Sequence, residues 1–181
     1  MSEKKQFVRY RSVLKWMVRL RRSPRAISGG FALGTFVAFT PTIGVQFAIV
    51  IFLATLFNMN RPAALIMIWI TNAATMAPIY TFNYFIGNFF HSGPPVGEVY
   101  RVFSDLTVML LKMDWFDFST QFKTITNLGR EIIIPLITGS IIVGLFSALI
   151  VYGITSIAIR YLIVHRNRKR LLNNPPSTKK G

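Results

Sequence analysis

Residue types that carry acid–base or metal chemistry are few in this chain and lie far apart. The histidines are His91 and His165, and there is no cysteine. No His-Glu-x-x-His spacing and neither of the glycine-rich phosphate-binding motifs occurs. Asp114 and Asp117 are spaced to share a helical face, but aromatic residues surround them, so we interpret them as solvated carboxylates on an interfacial helix. The sequence therefore predicts no catalytic site, no metal site and no cofactor, and we expect a protein that is not an enzyme.

Polar residues that interrupt apolar stretches are more informative. The first stretch, residues 26–57, is broken by Thr-Pro-Thr-Ile-Gly at positions 40–44. Hydroxyl residues followed by proline are typical of helix starts, so we expect Thr40 and Pro41 to begin a second half-helix. The free N–H groups and the dipole of such a start favour an anionic group.

The second stretch, residues 62–90, is interrupted around Thr71 and Asn72 and again at residues 75–78, where Thr75 and Pro78 predict a similar helix start. Discontinuous helices hold substrates in many transporters. We therefore predict an anion-binding substrate site, with the alternative that these residues only satisfy one another across two kinked helices. The predicted site comprises Thr40, Pro41, Thr42, Gly44, Gln46, Arg61, Asn72 and Thr75.

Composition sets the environment in which these elements lie. The chain has 181 residues, of which 52% are hydrophobic and 15% charged, and its formal net charge is +15. Soluble domains average about 25% charged residues. Arg61 is the single charged residue between positions 26 and 97, and most basic residues lie in the two ends. This distribution excludes an ordinary cytosolic enzyme and argues against nucleic acid as a partner, because a nucleic-acid-binding domain spreads its basic residues over a folded face.

The N-terminal segment, residues 1–25, is predicted to form a basic amphipathic helix rather than a cleavable signal. Such helices lie on anionic membrane surfaces, although packing on the protein's own cytoplasmic side explains the pattern equally well. The residues expected to contact lipid headgroups are Arg9, Arg11, Lys15, Arg19 and Arg22.

The third apolar stretch, residues 132–159, is predicted to span a membrane. Its 28 residues would form about 42 Å of helix, more than the hydrocarbon core of roughly 30 Å. Ser140, Gly144 and Ala148 form a ridge of small residues that allows another helix to approach closely, and Gly30 and Gly34 predict a second close contact.

The remaining parts are more ordinary. Residues 92–131 balance acidic and basic residues and are predicted to form one or two amphipathic helices outside the cytoplasm, at the interface. Residues 26–170 are taken as the membrane domain, and residues 171–181 as a disordered basic tail.

Orientation follows from the basic ends, which should both be cytoplasmic. The number of crossings is then even. We expect the third stretch to span and the second to cross, and the first to be re-entrant because its break is sharper and its flank is the most basic.

Seven short motifs are spread along the chain. They are Ser-Pro-Arg-Ala-Ile at 23–27, Gly-Phe-Ala-Leu-Gly at 30–34, Phe-Thr-Pro-Thr-Ile-Gly-Val-Gln at 39–46, Asn-Arg-Pro-Ala-Ala at 60–64, Trp-Ile-Thr-Asn at 69–72, Pro-Ile-Tyr at 78–80 and Pro-Leu-Ile-Thr-Gly-Ser at 135–140. These motifs resemble a bacterial membrane-protein family catalogued as domain of unknown function 2062. The resemblance covers roughly residues 21–170 and implies an inner-membrane protein without a settled activity.

The sequence thus predicts an all-α integral protein of the bacterial inner membrane, with two broken or re-entrant hydrophobic hairpins and a long C-terminal transmembrane helix. Its predicted function is that of a small transporter or flippase-like protein for an anionic substrate, either phosphate-bearing or lipid-linked. We expect membrane lipids and further copies of the chain as partners, because 181 residues are too few to enclose a pathway. The alternative is a non-transporting scaffold or accessory subunit that binds anionic lipid or a partner through its N-terminal helix.

Overall fold

The computed structural model describes residues 23–42, 45–72, 74–112 and 128–173. These residues form six helices and no strand, which confirms the all-α prediction. The basic N-terminal segment, Gly44, Asp114, Asp117 and residues 174–181 lie outside the described residues. The helices are α1 (Pro24–Phe39), α2 (Gln46–Leu56), α3 (Arg61–Ile68), α4 (Met76–Asn88), α5 (Val96–Lys112) and α6 (Arg130–Asn173).

The first break lies at the predicted position, between α1 and α2, but Thr40 does not begin the second half-helix. Thr40 caps the C-terminus of α1, and α2 begins only at Gln46, after Val45. The Thr40 hydroxyl donates to the Val37 carbonyl oxygen at 2.7 Å. A threonine hydroxyl can bond back to a carbonyl or forward to an N–H. Because Thr40 bonds back, the prediction that Thr40 and Pro41 start a helix is wrong.

The second break lies between α3, which ends at Ile68, and α4, which begins at Met76. Thr75 is the N-cap residue of α4, so the predicted helix start near Thr75 is confirmed. Pro78 is the third residue of α4 rather than its first. Residues 76–78 therefore belong to the helix, and the prediction of an additional interruption there is wrong.

The helices α1 and α2 form a hairpin whose two ends meet. The Asn60 N–H, just after α2, donates to the Ala26 carbonyl oxygen at 2.9 Å. From Asn60, α3 runs parallel to α1, and a methyl group added at Gly30 or Gly34 would overlap the backbone of Asn60 or Ala64. The predicted close packing at these glycines is confirmed.

The helix α4 packs against α6 with equally close backbone contact. A methyl group at Gly87 would overlap the Pro135 carbonyl, and one at Gly139 would overlap the Asn83 carbonyl. The helix α5 folds back along α4, with the Phe103 ring 5.9 Å from the Tyr80 ring. It is the amphipathic helix predicted for the segment after residue 92.

The last helix is longer than the predicted segment at both ends. It runs from Arg130 through Asn173 and includes the first three residues of the predicted tail. Among the described residues, α6 is the one helix long and apolar enough to cross a membrane, over Arg130–His165. Within it, Ser140 is buried and Gly144 packs against the Phe36 side chain of α1, so the small-residue ridge serves internal packing.

Among the described residues, many large apolar side chains lie on the surface, and the buried positions include small and polar residues beside large ones such as Tyr80, Tyr84 and Phe103. Fully buried polar residues include Ser28, Thr35, Asn83 and Ser140. Large apolar side chains are exposed on or next to α2, α3, α4 and α6, and this apolar surface includes Phe52, Ile66, Phe89, Phe146, Leu149 and Ile157.

Candidate functional site

The two breaks lie side by side. The Thr71 hydroxyl from the second break donates to the Ala38 carbonyl oxygen at the end of α1. The Tyr80 hydroxyl of α4 donates to the Thr40 carbonyl oxygen at 3.2 Å. The structure therefore brings together the two interrupted stretches on which the predicted site depends.

The C-terminus of α1 is held by side chains that are distant in sequence. The Asn83 amide Nδ2 donates to the Phe39 carbonyl oxygen at 2.8 Å and to the Ser140 hydroxyl at 3.0 Å. Together with Thr71 and Tyr80, it satisfies carbonyl groups that a helix end leaves without helical partners. Asn83 thereby joins α1, α4 and α6 at one buried point.

The second break is satisfied by its own residues. The Asn72 Oδ1 atom accepts from the N–H groups of Ala74 at 2.9 Å and Thr75 at 3.3 Å. The Thr75 hydroxyl donates to the Ile70 carbonyl oxygen at 2.7 Å and accepts from the Asn72 N–H at 3.0 Å. Two of the predicted site residues, Asn72 and Thr75, are thus engaged in a local turn.

The start of α2, unlike that of α1 or α3, has no side chain that caps its free N–H groups. Its N-cap residue, Val45, makes no side-chain hydrogen bond, and Gln46 is the first helical residue. The Gln46 Oε1 atom is buried and has no hydrogen-bond partner among the described residues. Pro41 and Thr42 are half-buried, and the Thr42 and Thr40 hydroxyls lie 3.4 Å apart, within hydrogen-bond distance. At this part of the predicted site the Gln46 Oε1 atom is thus left unpaired among the described residues.

Arg61 lies near the start of α1, whereas the breaks lie near its end. It is the first residue of α3, close to the Asn60–Ala26 hydrogen bond. Thr71 contacts Ala38, and Ala26 and Ala38 are separated by twelve positions, or about 18 Å along α1. The structure therefore does not bring Arg61 together with the breaks.

Two helix N-termini converge at that level instead. The Ser23 hydroxyl accepts from the Ala26 N–H at 3.1 Å at the start of α1, and the Asn60 Oδ1 atom accepts from the Ala63 N–H at 2.9 Å at the start of α3. Both helices, which the structure describes in full, lack an acidic residue in the first turn. Each N-terminus carries about half a positive charge.

Two arginines add to this positive pole. Arg25 is exposed in the first turn of α1, and Arg61 is half-buried in the first turn of α3. Guanidinium groups match phosphate and carboxylate geometry. We call the N-termini of α1 and α3 with Arg25 and Arg61 the paired N-termini. The sequence prediction grouped Arg61 with the break residues. In the structure, α2 brings the chain back to the start of α1, so Arg61 lies there instead, and no local sequence pattern indicates this path.

The partners of Asn83 and Tyr80 were also missed. Asn83 lies in the second apolar stretch, Tyr80 in one of the family motifs and Ser140 in the ridge of small residues, but none of these patterns specifies a hydrogen-bond partner. Small and polar residues in an apolar helix are a general signal for helix contact, and Ser140 did carry that signal. Which carbonyls they would meet depends on the tertiary packing.

The described part of the chain shows no group of histidine and acidic residues able to hold a metal ion. The features above define an all-helical protein with, among its described residues, one helix long and apolar enough to cross a membrane. The model of a family described as uncharacterized protein conserved in bacteria, domain of unknown function 2062, matches residues 7–168. The chain belongs to this family, as its motifs indicated. No curated protein and no solved structure matches the chain.

Proposed function

We propose that the protein is integral to the bacterial inner membrane and moves an anionic substrate, either phosphate-bearing or lipid-linked, as a small transporter or flippase-like protein. The apolar surface of α2, α3, α4 and α6 supports the membrane location, because water would solvate it poorly whereas lipid would cover it. Glycines at the helix contacts and buried polar side chains are also typical of helices packed in lipid.

In the proposed membrane location the α1–α2 hairpin is re-entrant, which means that it enters and leaves the membrane on the same side. The helix α1 is about 24 Å long and α2 about 17 Å, and neither reaches across a hydrocarbon core of roughly 30 Å. The hydrogen bond between Asn60 and Ala26 returns the chain to the level from which α1 starts. Next, α3 and α4 together cross the membrane and α6 crosses back. Both basic ends are then cytoplasmic, as the positive-inside rule favours.

The paired N-termini support an anionic substrate most directly. The N-termini of α1 and α3 lie close together at the proposed cytoplasmic end of the hairpin, and each has an arginine in its first turn. A phosphate group would be attracted there by both the dipoles and the arginines. The break residues Thr40, Pro41, Thr42, Gly44, Gln46, Asn72 and Thr75 would line the route about 18 Å deeper, where α2 starts without a side-chain cap.

The protein as proposed is not an enzyme and works as a homo-oligomer. The six helices of the described residues leave little room to enclose a polar route, so neighbouring copies would complete its wall. Lipids are the other partners, and the N-terminal arginines and lysine, outside the described residues, would contact anionic headgroups.

Vesicles test this proposal. The purified full chain would be reconstituted with fluorescent phosphatidylglycerol or with fluorescent phosphatidylcholine, and dithionite quenching would report movement between leaflets. A parallel assay would follow uptake of radioactive inorganic phosphate. Compared with empty vesicles, vesicles that contain the protein should move phosphatidylglycerol between leaflets faster or take up more phosphate. Arg61→Gln should reduce the rate by about ten-fold, since a charge-assisted hydrogen bond contributes about 1.5–3 kcal/mol.

The matched control is Arg101→Gln, which removes an exposed arginine from α5, far from the paired N-termini, and should leave the rate unchanged. The proposal fails if folded wild-type protein moves neither probe. Retained binding to anionic vesicles without movement would favour the scaffold function instead.

A further inference from the structure

Asn83 has a buried acceptor atom that the fold leaves without a partner. The residue is fully buried, and its Nδ2 atom donates to the Phe39 carbonyl oxygen at 2.8 Å and to the Ser140 hydroxyl at 3.0 Å. Because both N–H groups are engaged, the orientation of the amide is fixed. Its Oδ1 atom has no hydrogen-bond partner among the described residues. An unpaired buried acceptor is unfavourable, and an ion or a water molecule usually accounts for one.

The other unpaired oxygens of the described residues differ from this one. Ser28 and Thr81 have hydroxyl groups, which rotate and can donate as well as accept. Gln46 has an unpaired amide oxygen, but the residue is only half-buried. Of these four residues, Asn83 is the one that combines full burial with a fixed oxygen that can only accept.

The Asn83 amide lies at the C-terminal end of α1, which carries about half a negative charge. The last turn of α1 has no basic residue, and Arg25 and Arg61 lie at the opposite end of the helix. The side chains that bond to this end, those of Thr71, Tyr80 and Asn83, are uncharged. In the described part of the chain, no basic residue therefore bonds to the negative end of α1.

Three neutral oxygen atoms meet around the amide, and we call them the Asn83 junction. They are the Asn83 Oδ1 atom, the Phe39 carbonyl oxygen and the Ser140 hydroxyl oxygen. In a primary amide one N–H group lies on the same side as the oxygen, so one of the two acceptors of Nδ2 is a neighbour of Oδ1. Carbonyl and hydroxyl oxygens have two lone pairs, so each can accept from Nδ2 and bind a second group.

We propose that the Asn83 junction binds a monovalent alkali-metal cation. Carbonyl oxygens and the C-terminal ends of interrupted helices bind such ions and replace their hydration shell. Calcium and magnesium sites use carboxylate ligands. The acidic residues that the structure describes are Glu98, Asp105 and Glu131, and all three are exposed, whereas the junction is buried. The junction therefore suits an ion with a single positive charge.

The position of the junction gives such an ion a role in transport. The junction lies at the first break, at the opposite end of α1 from the paired N-termini, which would attract the anionic substrate. A bound cation would supply positive charge where the proposed route of the anion passes the negative end of α1. This coupling rests on the transport function proposed above, whereas the binding of the cation does not.

Binding of radioactive ions to the purified full chain in detergent tests the site. One assay uses radioactive sodium and a parallel assay uses radioactive rubidium, an analogue of potassium, with choline chloride to keep the ionic strength constant. We expect saturable binding of at least one of these ions. Excess unlabelled sodium or potassium chloride should displace the bound ion, and choline chloride should not.

Two variants place the site at the junction. Asn83→Asp, assayed at alkaline pH so that the carboxyl group is ionised, should tighten cation binding about ten-fold, because a charged acceptor binds a cation more strongly. Ser140→Ala removes one oxygen with little change of volume and should weaken binding about five-fold, as loss of one polar contact implies.

Each variant has a matched control. Asn88→Asp adds the same charge at a half-buried position of α4 and should leave the affinity unchanged. Thr35→Val removes another buried hydroxyl, one that bonds within α1 to the Phe31 carbonyl, and should also leave the affinity unchanged. Circular dichroism confirms that each variant is folded.

Folded wild-type protein that binds neither ion would overturn the cation site and leave the junction to a water molecule. Equal tightening by Asn83→Asp and Asn88→Asp, or equal weakening by Ser140→Ala and Thr35→Val, would overturn its location. Cation binding without movement of either vesicle probe would count against the transport function and leave the site in place. Probe movement at equal rates in alkali-metal and choline salts would overturn the coupling alone.

Discussion

The first break, between α1 and α2, and the second break, between α3 and α4, both leave backbone groups without helical partners, but different residues satisfy them. At the first break, carbonyls of α1 accept from Thr71, Tyr80 and Asn83, which are 33 to 44 positions away. At the second break, Asn72 and Thr75 bond to groups within five positions. The first break therefore depends on tertiary contacts in addition to the local bond from Thr40 to Val37, whereas the bonds of Asn72 and Thr75 make the second break mainly a local turn.

This difference has an energetic consequence. A change at the first break separates helices from one another, and it leaves a carbonyl unsatisfied in a region that we place inside lipid. A change at the second break loosens one turn that is partly exposed. Variants at the two breaks should therefore differ in their effects on the free energy of unfolding.

Asn83→Leu should have the largest effect. It removes the hydrogen bonds to Phe39 and Ser140 and leaves a buried carbonyl without that donor, so we expect a loss of about 2 kcal/mol in the free energy of unfolding. Titration with sodium dodecyl sulfate in mixed micelles, followed by tryptophan fluorescence, measures it. Asn88→Leu is the control at a half-buried position of the same helix. Equal losses for both variants would argue that Asn83 has no special role.

Thr71→Val should have an intermediate effect, about 1 kcal/mol, because it removes one buried hydrogen bond to Ala38 while keeping the shape of the side chain. The matched control is Thr35→Val. Thr35 is also buried, but its hydroxyl donates within α1 to the Phe31 carbonyl at 2.8 Å. The same titration should show a smaller loss for Thr35→Val. A larger loss for the control would contradict the importance of the contact between the breaks.

Asn72→Ala should have the smallest effect, about 0.5 kcal/mol, because Asn72 is exposed and water can replace its bonds to Ala74 and Thr75. Asn72→Asp keeps an acceptor oxygen at the same position and should restore most of the loss. Thermal unfolding in detergent compares the two variants. If Asn72→Ala is as damaging as Asn83→Leu, the second break is not a local turn.

The same contrast explains what the sequence could predict. Apolar stretches, glycine pairs and polar interruptions are local patterns, so the helices, the positions of the breaks and the close approach at Gly30 and Gly34 followed from them. The turn at Asn72 and Thr75 was also predictable because its bonds join near neighbours. Even the local pattern at Thr40 allows two hydrogen bonds, one to a preceding carbonyl and one from a following N–H. The Thr40 hydroxyl makes the first, to Val37.

Contacts between distant residues could not be derived in this way. No pattern near Tyr80 indicates that its hydroxyl meets the Thr40 carbonyl, since that contact requires α4 to lie against the end of α1. The predicted location of Arg61 was wrong for the same reason, because α3 runs parallel to α1 and this places Arg61 far from the breaks. The function of the substrate-site residues stays a prediction.

The re-entrant hairpin is the central claim, and cysteine labelling in intact cells tests it most directly. The variants are Ser23→Cys before α1, Phe57→Cys after α2 and Ser92→Cys after α4, all at exposed positions of a chain without native cysteine. A membrane-impermeant maleimide added outside spheroplasts should label Ser92→Cys alone, and the other two should react only after the membrane is opened. Labelling of Phe57→Cys from outside, with Ser23→Cys protected, would show that the first stretch crosses the membrane and would contradict the account.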